Sequence, residues 1–140
     1  MDLSYALTPF LAWLAAGTLK FIINSVKSGQ WAFGLIGYGG LPSTHSAIVS
    51  STVTLVALRE GIDHPAFAVA VTFAFVVMLD ANSLRRQVGK HAEAINRLAD
   101  KLKCYEKKRL RERMGHTKLE ISIGVLVGIG VAALVYLWRV

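Results

Sequence analysis

Gly39-Gly40-Leu41-Pro42-Ser43-Thr44-His45-Ser46 opens an apolar run, and the reading of the whole chain turns on it. Glycine lets a backbone come close to a ligand, and Pro42 suits the first position of a helix whose leading N–H groups form an anion cradle. An imidazole sits inside that cradle. Read chemically, Ser43 and the backbone amides hold a phosphate while His45 exchanges a proton. Read structurally, hydroxyls cap a helix and the histidine is ordinary. The octapeptide alone leaves both open.

The 140-residue chain fits one domain, 1–140. Its hydrophobic share of 54% exceeds the roughly 45–50% usual for soluble domains, which points to a membrane protein. Residues 5–24, 43–58, 65–79 and 119–138 are each apolar enough to cross a bilayer, the second and third only by borrowing polar ends. The predicted fold is therefore all-α, a polytopic membrane bundle of four spans. Of the 16 Lys and Arg residues, 12 fall within 81–118. Basic residues collect on the cytoplasmic side, so that loop is expected there, with both termini and the 59–64 turn outside. A plasma membrane or its equivalent is the expected location. The net charge of +7 then reflects topology and anionic headgroups beside the basic loop, and nucleic acid is not implied. One cysteine, Cys104, excludes an intrachain disulfide framework.

Lys20 lies inside the first span and faces a polar interior on this reading, whereas Lys27 can snorkel to the surface. Five glycines interleaved with aromatic and aliphatic residues over 29–40 suggest a glycine-rich interfacial or re-entrant loop before the second span. Asp63, His64 and Pro65 suit the cap of the third span. Asp80, Ser83 and Arg86 are spaced by three and would share a helical face. Over 90–114 apolar residues recur at helical spacing among charges, predicting a basic amphipathic cytoplasmic helix between the third and fourth spans. His116 and Glu120, four apart, would lie on one face, with the carboxylate fixing one imidazole nitrogen and leaving the other free. Gly124 and Gly128 mark a close helix contact within the chain or between copies, which leaves a homodimer open.

Topology brings these clusters to one membrane face. Two histidines, fixed cations and a glycine-rich cradle are the parts expected for phosphoryl transfer. A divalent metal fits less well, because the lysines and arginines would repel it. The residues also resemble the type 2 phosphatidic acid phosphatase superfamily, with its Lys-x6-Arg-Pro, Pro-Ser-Gly-His and Ser-Arg-x5-His-x3-Asp motifs. The resemblance is closest to its short divergent branch, in which Gly-Gly-Met-Pro-Ser-Ser-His-Ser is followed by Asp-Ala, a paired arginine and Gly-His-Thr. Lys20-x6-Lys27 resembles the first motif, with lysine for arginine and Ser28 for proline. Pro42 to His45 resembles the second, with Thr44 in place of glycine. For the third, Arg85-x5-His91 keeps the spacing but has Ile95 where the acid belongs, while His116-x3-Glu120 has histidine and acid far from Arg85. Depth favours His116, since His91 would stand about 16 Å beyond Asp80 on a continuous helix.

The resemblance implies a membrane phosphatase that cleaves a lipid phosphate monoester of the phosphatidic acid, phosphatidylglycerophosphate or polyprenyl phosphate type. His116 would be the nucleophile, Glu120 its orienting acid and His45 the general acid and base. Lys20, Lys27, Arg85 and Arg86, with Ser43 and Thr44, would bind the phosphate, supported by Asp80, Gly39 and Gly40. No metal or organic cofactor is implied. A catalytically idle scaffold or lipid-binding relative is the alternative, and a small transporter is a more distant one.

Overall fold

The computed structural model of the chain describes residues 3–29, 31, 40–103, 109–112 and 114–138. Among them every regular element is helical: α1 (Ser4–Ser28), α2 (Thr44–Glu60), α3 (Pro65–Leu79), a π turn (Asp80–Leu84), α4 (Arg85–Leu102) and α5 (Lys118–Trp138). The helix ends follow from local chemistry. Gly29 takes a left-handed φ of 65° and stops α1. Ser43 caps α2 by accepting from the Ser46 N–H, so Pro42 stands before the cap and not at the first helical position expected for it. His64 caps α3 through Nδ1, with Pro65 just inside. Thr117 and Glu120 start α5 reciprocally: the Glu120 N–H donates to Thr117 Oγ1 at 3.2 Å and the Thr117 N–H to Glu120 Oε2 at 2.9 Å.

α3, the π turn and α4 form one unbroken helix of 38 residues, Pro65–Leu102. The amphipathic segment predicted over 90–114 is thus a continuation of the third helix that ends at Leu102, and 109–112 is not helical. Arg109 to Glu112 instead runs back along it. Asn96, buried, donates to the Leu110 carbonyl at 2.9 Å and accepts from the Leu110 N–H at 3.0 Å. Gly89 lies so close to the Glu112 carbonyl that a side chain would not fit.

The core sits around α2, which packs against α1, α3 and α5. Apart from Val49, Leu55 and Val56 of α2, what is buried is mostly small or hydroxylated, as at Ala12, Ala16, Ala47, Ala132, Ser46 and Ser51. What is exposed is large and apolar, Phe10 at 65%, Phe73 at 63% and Leu134 at 68%. That inversion is what lipid selects, since association there relies on close backbone packing and not on hiding large side chains from water. Gly124 and Gly128 meet α2 directly, the first against the Ser43 carbonyl and the second against Ser50 and the Ala47 carbonyl. The close contact that their spacing predicts is therefore made within the chain.

Among the described residues three helices are long and apolar enough to cross a membrane: Ser4–Ser28, Pro65–Leu102 and Lys118–Trp138. α2 falls short of four such spans by its own length and composition, for a physical reason. Its neighbours are protein, so it carries serines and threonines where an exposed span would carry leucine. Ser50 Oγ, for example, donates to the Ser46 carbonyl at 2.6 Å and reaches the Val125 carbonyl of α5 at 3.3 Å.

Candidate active site

One end of the bundle is tied by two backbone bonds. The Ser43 N–H donates to the Glu120 carbonyl at 2.9 Å, joining α2 to α5, and the His116 N–H donates to the Ala81 carbonyl at 3.0 Å, joining the start of α5 to the π turn. Gly115, at φ 88°, makes the second possible by lying against the Arg86 backbone, where a Cβ would come within 3.1 Å. His45, on the first turn of α2, and His116 are thereby brought together, with ring centroids 6.4 Å apart.

His116 Nδ1 is 3.1 Å from Glu120 Oε2, and both side chains are nearly buried, at 8% and 13% exposure. The carboxylate accepts the Nδ1 proton, which leaves Nε2 with a free lone pair. Burial is the main influence on this imidazole and holds its pKa below the usual 6.5. The Glu120 hydrogen bond pulls the other way, while the Lys20 ammonium and Arg85 guanidinium add to the depression. Glu120 thus starts its helix and orients the histidine with one carboxylate.

Arg85 lies 3.3 Å from His45 Nε2. A guanidinium only donates, so Nε2 accepts and the neutral ring carries its proton on Nδ1. That Nδ1 is buried and has no protein partner among the described residues. Arg85 is in turn paired with Asp80 at 3.3 Å, five residues back. The π turn explains this spacing, because widening the helix rotates Arg85 from the α-helical position onto the Asp80 side. The face predicted for Asp80, Ser83 and Arg86 is corrected accordingly: Asp80 pairs with Arg85, and Arg86 is exposed with its backbone against Gly115.

Lys20, half-buried on α1, is close enough to act electrostatically on His116 and Glu120. Lys20, His45, Asp80, Arg85, His116 and Glu120 therefore converge from four helical segments. Lys27 is exposed two turns further along α1. Ser43 is fully buried and its oxygen is engaged by the Ser46 N–H and hydroxyl, at 3.3 and 2.9 Å, so it builds the turn beneath the site. Thr44 is part-buried on the first turn of α2. Gly40, at φ 139°, lies against Asn24, while Gly39 is outside the described residues. His91 is exposed on α4. Sequence reasoning passed over Ala81, whose carbonyl positions His116 and which no side-chain pattern could announce. Thr117 was also passed over, although Thr-x-x-Glu ahead of an apolar run is a readable signal.

A family model described as the divergent PAP2 family matches residues 2–131. The chain belongs to that family. Membership agrees with the resemblance carried by the Gly39 to Ser46 stretch and His116. An uncharacterized membrane protein of Bacillus subtilis strain 168, YuiD, is 36% identical over 138 residues, covering 88% of this chain and 87% of the relative. No solved structure matches the chain. Together with the three apolar helices, the relative marks this divergent PAP2 protein as a membrane protein.

Proposed function

We propose that this divergent PAP2 protein is a metal-independent membrane phosphatase acting on a lipid phosphate monoester through a phosphohistidine. One observation carries the reading: His116 held by Glu120 stands 6.4 Å, ring to ring, from a second histidine that is held by an arginine. A tetrahedral phosphate fits between such partners, with a nucleophile on one side and a proton donor on the other. His116 Nε2 attacks phosphorus and the leaving alkoxide departs opposite it, taking the Nε2 proton of His45, which enters this step as imidazolium once phosphate has drawn Arg85 away and leaves it as the neutral base. His45 then removes a proton from the water that cleaves the phosphohistidine, releasing inorganic phosphate and returning His116.

Lys20 and Arg85 neutralise the phosphate oxygens, with Thr44 and backbone N–H groups at the start of α2 completing the cradle. Lys27 and Arg86 form an outer cationic ring that draws the anion in. Phosphate takes Arg85 away from the imidazole and frees His45 Nε2, while Asp80 limits how far the guanidinium swings. The fold in the bilayer has four spans, with α2 enclosed by the other three. The 81–118 segment and the site lie on the cytoplasmic face, beside anionic headgroups.

Phosphate release from phosphatidic acid, phosphatidylglycerophosphate and polyprenyl phosphate, measured with chelator present, tests the proposal. Release from at least one substrate in chelator is expected. Release that vanished in chelator and returned with magnesium would overturn the metal-free mechanism. Saturable binding of these lipids with no release would make the chain a lipid-binding relative.

A further inference from the structure

α1 and α5 pack on each other as well as on α2, whereas α3 packs closely on α2 and barely touches α5. Between α3 and α5 runs a groove of about 340 Å³, within the roughly 300–1,000 Å³ typical of small-molecule sites. Phe75 and Met78 of α3 and Ile121 of α5 make its floor apolar, whereas Asn82 and Lys118 stand at one end. Ser122 also lines it, but its hydroxyl donates to the Lys118 carbonyl of its own helix at 3.0 Å. The polarity is therefore graded: hydrocarbon along the walls, a cation and an amide at the rim.

Along the chain the rim residues neighbour the segments that carry the histidine site. Asn82 follows Ala81, the residue that accepts the His116 N–H, and Lys118 is two residues beyond His116. From Phe75 to Asn82 is seven residues, about 10 Å of helix rise toward the site. Phe75 is 60% exposed, as a wall that meets lipid from the side would be.

We infer that this α3–α5 groove holds an acyl chain of an anionic lipid phosphate, with Lys118 attracting the headgroup and the open side admitting the lipid from within the bilayer. The inference rests on the phosphatase reading for its choice of headgroup. Charge complementarity selects the occupant: a neutral lipid could fill the apolar walls but would leave Lys118 unanswered. The chain supplies binding energy along its methylenes and sets the phosphate at the end where His116 and His45 meet.

The test uses the full chain in nanodiscs with phosphatidic acid carrying a photoactivatable acyl chain. Labelling is expected on Phe75, Met78 or Ile121 and should be displaced by unlabelled phosphatidic acid but not by phosphatidylcholine or diacylglycerol. Labelling spread equally over other lipid-facing residues such as Phe10 and Leu134, or displaced equally by neutral lipid, would overturn it. Met78→Trp and Ser122→Trp, which narrow the groove, should weaken phosphatidic acid binding by about tenfold or more, since two lost methylene contacts already amount to that. They should leave the hydrolysis of p-nitrophenyl phosphate unchanged, which also reports that the variants fold. Unchanged lipid affinity in both would sink the groove. Photolabelling and affinity do not need turnover: groove labelling without phosphate release would retain the groove and reject the phosphatase, and release without groove labelling would do the reverse.

Discussion

The histidines are distinguished by what holds them. His116 has one nitrogen bound by Glu120 and one free, as a nucleophile requires, while His45 is held by a cation that a phosphate can draw away. His116→Ala should therefore abolish both phosphate release and any acid-labile phosphoenzyme. His45→Ala should slow turnover by roughly 100-fold to 10,000-fold, the range for losing general acid catalysis, and spare the phosphoenzyme when the leaving group is good. His91→Ala, on an exposed turn of α4, should be neutral; a dead His91 variant would reassign the nucleophile. Acidity gives a separate check. Burial keeps His116 below the usual 6.5 and so neutral at pH 7, and the acid limb of kcat/KM should fall below 6.5. Glu120 opposes that depression, so in the residual activity of Glu120→Gln the limb should move further down, not up. Stability has the same sign: a depressed histidine pKa stabilises the fold above the unfolded value, and this contribution is lost as pH falls through the folded value.

At the scale of elements, two devices bring the site together. One is the π turn, which places Arg85 on Asp80 and offers the Ala81 carbonyl to the segment carrying His116. The other is the glycine seam of α5. A Cβ at Gly128 would strike Ser50 and the Ala47 carbonyl, whereas at Gly130 it would meet nothing within 4 Å. Gly128→Ala should thus destabilise the detergent-solubilised protein by about 1–3 kcal/mol, as overpacking does. Gly130→Ala should be neutral or slightly stabilising, since alanine is the better helix former. Thermal unfolding of the matched pair decides. Equal midpoints would mean that α5 does not approach α2 as closely as the structure has it.

At the scale of the molecule, the basic 81–118 segment predicts which side the site faces. Cys104 lies outside the described residues but inside that segment, and an impermeant thiol reagent should leave it unmodified in intact cells and label it after permeabilisation. Labelling in intact cells would invert the topology. Much of this architecture was legible in the sequence. Apolar runs long enough for a bilayer located the helices within a few residues, because hydrocarbon thickness and the 1.5 Å rise leave little freedom. The His116–Glu120 pair was legible from its spacing of four, although His116 stands just before α5 and meets Glu120 across the helix start and not along a helical face. Tertiary structure decided the rest. A 3.6-residue period cannot foresee a π turn, so the pairing of Asp80 with Arg85, five apart, was invisible until the helix was built. Hydropathy marked α2 as the poorest span because it weighs each residue against lipid, whereas α2 is surrounded by other helices. The meeting of His45 and His116 depended on backbone bonds from Ser43 to Glu120 and from His116 to Ala81, which any side chains could accompany, and only the packed chain could determine it.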